Sequence, residues 1–106
     1  MSPALVPCPS FGTHRIHRND ESRILVVDSL MLKFTPIEYR VLLSLLSGRA
    51  VADAHLAREV FSCEADRSVQ KNLDKHIDKI RTKLQLVGLG LHRVSKYGYV
   101  LLAVPI

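Results

Sequence analysis

The chain has 106 residues, a formal charge of +5 and a pI near 9.6, which suits one small basic domain and points to an anionic partner, nucleic acid or membrane surface. Two cysteines, Cys8 and Cys63, make no disulfide framework, and no apolar stretch reaches the roughly 18 residues of a membrane span. The opening, MSPALVPCPS, lacks the charged start and continuous apolar run of a secretory signal. Tryptophan is absent, which argues against an aromatic platform for single strands. No internal repeat is visible.

Taken in order, residues 1–12 hold Pro3, Pro7 and Pro9, then Ser10 and Gly12, and read as a disordered tail. From residue 13 onward a single domain is expected, running to 106. His14–Arg18 reads as a short strand, Asn19–Ser22 as a turn, Arg23–Val27 as a β-branched strand and Leu30–Phe34 as the next. A small antiparallel sheet at the front of the domain follows. His14 and His17 near Cys8 match no zinc spacing, so no metal is expected.

Thr35-Pro36-Ile37-Glu38 is a capping box with proline at the first helical position. Val41, Leu42, Leu45 and Leu46 form the buried stripe of this first helix, and Gly48 is placed to end it in a left-handed conformation. A second helix starts at Ala52 or Asp53, with Leu56, Val60 and Phe61 facing inward and Asp53 suiting the helix dipole. Residues 62–66 are either a connection or the first turn of a third helix, and Ser62 and Ser68 both suit its cap.

The stretch 67–86, RSVQKNLDKHIDKIRTKLQL, organises the rest. Val69, Leu73, Ile77, Ile80, Leu84 and Val87 recur at steps of three and four, one face of a helix. The opposite face carries Lys71, Lys75, Lys79 and Thr82, with Asn72 and His76 on its shoulder and Asp74 and Asp78 offsetting part of the charge. A like-charged row at spacing four costs an isolated helix a few tenths of a kcal/mol per pair. Either the face is simply solvated, or it presents cations and amides to an anionic polymer. Gly88 and Gly90 stop the helix. Leu91–Ser95 and Tyr99–Leu102 read as a hairpin, with Lys96-Tyr97-Gly98 as its turn and Gly98 supplying the unusual backbone angles.

Three motifs in this order resemble the winged-helix DNA-binding domain of OmpR/PhoB-type response regulators. Leu32–Leu43 is similar to that family's L-T-x-x-E-x-x-L-L opening of its first helix. His76–Leu84 is similar to its H-I-x-x-L-R-x-K-L recognition helix, and Val94 with Gly98-Tyr99 to the end of its V-R-G-x-G-Y wing. The resemblance spans roughly 13–102 and implies an α+β, winged helix-turn-helix fold: a small N-terminal sheet, three helices and a C-terminal hairpin wing. It implies that helix 67–86 lies in the major groove and that hairpin 91–102 reaches the adjacent backbone or minor groove.

By position, His76, Lys79 and Arg81 fall where the family's helix touches phosphates and bases, and Tyr99 falls on the wing tyrosine. With Lys71, Asn72, Lys75, Arg93 and Lys96 these make the expected DNA-binding set. Two departures stand out. Ser95 and Lys96 replace the usual Arg-Gly of the wing, so the minor-groove arginine is missing or its role passes to Arg93 or Lys96. Asp78 stands where a base is usual; its carboxylate repels phosphate but suits cytosine N4. The spacing between Phe61 and His76 also differs from the family's, consistent with a recognition helix one turn longer at its start.

The implied partners are double-stranded DNA, RNA polymerase and a second copy of the chain on repeated half-sites, in the cytoplasm and without cofactor. No receiver domain is expected within these residues, so control is expected to come from elsewhere, whether the chain is a stand-alone regulator or a fragment. The expectation is a transcription regulator rather than an enzyme, since no nucleophile lies at family spacing from a base. A winged-helix protein-interaction module is the alternative; it calls for an apolar patch on the long helix, where charged residues stand instead.

Overall fold

A computed structural model describes residues 6–7, 12–62 and 67–103. Cys8 and Cys63 lie outside them. In order come β1 (Val6–Pro7), β2 (Ile16–Asn19), β3 (Ile24–Val27), β4 (Leu30–Lys33), α1 (Pro36–Leu45), β5 (Val51–Ala52), α2 (Asp53–Phe61), α3 (Arg67–Gln85), β6 (Leu89–Val94) and β7 (Gly98–Ala103).

The front sheet is an antiparallel meander, β1-β2-β3-β4, with Ile16 opposite Val27 and Leu25 opposite Leu32. Alternation sends Leu25 and Val27 to the core. Two residues of the proline-rich opening belong to this sheet: Val6 and Pro7 pair with Arg18 and His17. Proline is tolerated there because an edge strand can spare an N–H.

The capping box forms as its four residues dictate. The Glu38 amide donates to Thr35 Oγ1, and the Thr35 amide donates to Glu38 Oε1 at 3.0 Å. Gly48, at φ +76°, follows the end of α1 and its amide donates to the Leu45 carbonyl. Ala52 caps α2 by backbone alone, and Asp53 is the first helical residue. Ser62, at φ +54°, is the C-cap of α2, and Ser68 lies inside α3, so neither is the cap of α3.

Helix α3 spans 19 residues, about 28 Å. Leu73, Ile77, Ile80 and Leu84 are sealed from solvent against α1, α2 and β6. Each such side chain contributes roughly 1.5–3 kcal/mol of burial. A contact invisible in the local sequence ties α3 to the front of the domain. Lys83 Nζ donates to Glu38 Oε1 at 2.7 Å and to the Lys33 carbonyl at 3.0 Å, and stands 5.1 Å from the centre of the Phe34 ring. Glu38 is only 2 % exposed. Burial alone raises its pKa, but Lys83 and the Thr35 amide outweigh that and hold it below the usual 4.5.

Because the folded carboxyl titrates below the unfolded one, this pair stabilises the fold above pH 4.5 and loses its effect as pH falls through the folded value. Lys83→Met keeps the stem over Phe34 but strands the buried carboxylate. A loss of about 2–3 kcal/mol is expected at pH 7, below the full buried-pair range because Lys83 is one-third exposed. Urea titrations should show the gap between variant and wild type closing below pH 4.5. A gap of equal size at low pH contradicts this account.

The second sheet has the order β5-β7-β6. β6 and β7 pair from Leu89↔Ala103 to Val94↔Gly98, and β5 adds Val51↔Tyr99 and Ala52↔Gly98. The hairpin stands as expected, but its turn works differently. Lys96, not Gly98, takes the left-handed conformation, at φ +57°, in a turn closed by the Tyr97 amide on the Val94 carbonyl. Gly98 is a buried strand residue. A Cβ there would fall 1.7 Å from the Val51 carbonyl oxygen. Its glycine serves close approach of two strands rather than a bend.

Candidate nucleic-acid interface

The 3.6-residue period places the side chains opposite the core face of α3 on one outward surface. Lys71, Asn72, Lys75 and Lys79 are all exposed there, joined by Ser68 and Thr82. Among the described residues the three lysines make no hydrogen bond or ion pair with the protein. The carboxylates expected to offset them are turned elsewhere. Asp74 accepts from Gln70 Nε2 and the Tyr99 hydroxyl, and Asp78 accepts from Arg81 Nη1 at 2.7 Å. The lysines follow one another about every 6 Å along the axis, a cationic row with no ion pair among the described residues.

His76 sits on the flank of this face, half-buried, its ring tilted 6.3 Å from that of Phe61 on α2. Three other members of the expected set are engaged inside the molecule. Arg81 Nε donates to the Leu91 carbonyl at 3.0 Å, joining α3 to β6. Arg93 Nη1 donates to Asp53 Oδ1 at 2.7 Å, and its guanidinium lies 4.9 Å over the Tyr99 ring. The bond to Asp53 raises the Arg93 pKa still further, so it stays cationic. Tyr99 is 5 % exposed, with its hydroxyl on Asp74. Burial first, and then the Asp74 carboxylate, push its pKa up to about 12.

The hairpin tip lies beyond these contacts. Lys96 is exposed, with Tyr97 beside it. Arg93 keeps about 40 % of its side chain in solvent, so its ion pair is open at the surface. The structure thus brings Lys71, Asn72, Lys75 and Lys79 onto one face, with His76 at its edge and Lys96 at the tip of the neighbouring hairpin. Arg81, Arg93 and Tyr99 hold that arrangement together. Sequence reasoning passed over Ser68, read only as a cap. Its spacing of three from Lys71 and seven from Lys75 places it on the same face.

No protein-family model matches the chain, and no curated protein matches it in sequence. Its backbone is similar to solved structures. The DNA-binding domain of CpxR from E. coli superposes with TM-score 0.70 at 23 % identity, over 85 % of this chain and 92 % of that one. The fold is the winged helix of OmpR/PhoB-type DNA-binding domains. The Klebsiella pneumoniae RstA DNA-binding domain, solved in complex with the RstA box, shares this winged helix at TM-score 0.71 and 17 % identity, over 89 % of this chain and 95 % of its own. So does the DNA-binding domain of the response regulator AdeR, solved in complex with an intercistronic region, at TM-score 0.65 and 21 % identity, over 85 % and 95 %. Within this winged helix, α2 and α3 are the helix-turn-helix and β6–β7 the wing.

Proposed function

We propose that this chain binds double-stranded DNA in a sequence-specific manner and regulates transcription, with α3 in the major groove and the β6–β7 hairpin on the adjacent backbone or minor groove. The observation that carries this reading is the row Lys71, Lys75, Lys79, exposed and without a carboxylate partner on the outward face of α3. A solvated face kept only for solubility has no need to turn both of its neighbouring carboxylates onto other groups. Asn72 supplies an amide able to read adenine, and the lysines supply phosphate or guanine contacts. The fold supports the reading by analogy, since the RstA and AdeR domains were solved on DNA.

The role is one of binding rather than catalysis. It takes place in the cytoplasm, with two copies on repeated half-sites and RNA polymerase as the further partner. No helix among the described residues is long and apolar enough to cross a membrane. The cationic face disfavours the protein-interaction alternative, which needs an apolar one.

The test is retention of a random-sequence duplex pool at two salt concentrations, with sequencing of what is retained. An enriched motif with a steep salt dependence is expected. A folded domain that retains no duplex at low salt defeats the proposal. Retention without any enriched motif removes sequence specificity from it.

A further inference from the structure

A set of polar contacts within the protein links α3, α2 and the hairpin. Asp74 Oδ1 accepts twice, from the Tyr99 hydroxyl at 2.5 Å and from Gln70 Nε2 at 2.9 Å. Tyr99 sits in β7 next to Gly98, opposite Arg93 of β6. Arg93 covers the Tyr99 ring and binds Asp53 in the first turn of α2. The Asp53 amide in turn donates to the Tyr97 carbonyl at the hairpin tip, at 2.8 Å.

A second tie, Arg81 Nε to the Leu91 carbonyl, grips the hairpin two residue pairs further from its tip, roughly 7 Å along the strand. β5 and Asp53 hold the hairpin to α2, and a single tie to α3 leaves its angle to that helix free to vary. Two points on the same helix fix its angle. Of the two ties to α3, the Asp74 tie lies nearer the tip, beside the Asp53 contacts from α2 and the pairing with β5.

We infer that Asp74 is a positioning residue: by accepting from the Tyr99 hydroxyl it fixes the β6–β7 hairpin against α3 and so sets how helix and hairpin reach a duplex together. The consequence for DNA rests on the proposed function; the fixing of the hairpin does not. A carboxylate is well suited to the task. It only accepts, and a hydroxyl-to-carboxylate bond in a half-buried site is among the stronger neutral-to-charged contacts. The raised pKa of Tyr99 agrees, since it keeps the donor proton in place throughout the physiological range. Tyr99 then contributes to binding without touching DNA.

The experiment uses the full chain and three variants. Tyr99→Phe keeps the ring, its core packing and the Arg93 contact, and removes only the donor. Asp74→Ala removes the acceptor, and Asp74→Asn retains an acceptor oxygen. Residual dipolar couplings of α3 and hairpin amides are measured on the free protein. Affinity for a random-sequence duplex at low salt is measured in the wild-type and Lys96→Ala backgrounds.

In the wild type and in Asp74→Asn, helix and hairpin are expected to fit one alignment. In Tyr99→Phe and Asp74→Ala they need two. If the docked hairpin falls to about a tenth of the population, DNA affinity falls about tenfold. That loss should largely vanish in the Lys96→Ala background, where the tip has little left to position. Asp74→Asn should bind at least as tightly as wild type. Couplings unchanged in Tyr99→Phe overturn the inference, as does an affinity loss of the same size in both backgrounds, which marks a general structural role. A wild-type chain that binds no duplex overturns the DNA reading alone, because the couplings still decide whether the hairpin is fixed.

Discussion

Replacing Lys71, Lys75 and Lys79 together with alanine should lower DNA affinity by about two to three powers of ten at 0.1 M salt. Each phosphate neutralised contributes a slope near 0.9 in the dependence of log affinity on log salt concentration. Three lost contacts therefore flatten that slope by about 2.7, and relative to a 1 M reference they cost about the same number of decades at 0.1 M. The structure makes the experiment clean. The three side chains are exposed and, among the described residues, unpaired with the protein, so nothing in the core depends on them. Removing a like-charged row from a helix relieves a few tenths of a kcal/mol per pair, and alanine is a good helix former. Melting temperature should hold or rise while binding collapses. Fluorescence anisotropy over a salt series, paired with a thermal melt, measures both. A triple variant with wild-type affinity and slope would falsify the assignment of this face.

Gly98→Ala should be the most damaging single-methyl change in the hairpin. The new Cβ would lie 1.7 Å from the Val51 oxygen, 2.7 Å from the Val51 carbonyl carbon and 2.9 Å from the Ala52 Cα. All three are backbone atoms, so no side chain can swing aside. β5 must leave β7, and β5 runs directly into α2, whose first residue carries the Asp53 contact to Arg93. Overpacking of this kind costs typically 1–3 kcal/mol and more where backbone is involved. About 3 kcal/mol or more is expected here. For a domain of this size that is roughly 12 °C or more in Tm. Amide exchange should show protection lost at Val51 and Ala52 first, with α1 and α3 holding. A variant that melts with the wild type contradicts the close-approach account and returns Gly98 to an ordinary strand position.

What was legible in the sequence follows the range of the interactions. The Thr35–Glu38 box closes within four residues, so it reads directly from the chain and forms as read. The core stripe of α3 repeats over 19 residues, long enough for its period to be unmistakable. The salt link from Lys83 to the same Glu38 spans 45 residues, and no local pattern announces it. β5 has two residues and no period, and it exists because β7 lends it an edge. Gly98 was conspicuous but ambiguous, since a glycine signals either an unusual backbone angle or a close neighbour. The site divided in the same way. Exposure of Lys71, Lys75 and Lys79 follows from helical geometry alone. The engagement of Arg81, Arg93 and Tyr99 depends on partners 10, 40 and 25 residues away, which bring groups from four elements together.

The turn at Lys96 carries a different kind of information. The resembled wing motif has glycine at this position, and the backbone here keeps a glycine's conformation, φ +57°, under a lysine. An L-residue held in that region gives up roughly 1 kcal/mol relative to glycine. Ser95 stands where the motif has its arginine. The tip's positive charge therefore stands one residue further along the hairpin than the motif's arginine, on a residue whose backbone disfavours a side chain. Lys96 thus carries its charge at a local conformational cost that a glycine would not incur.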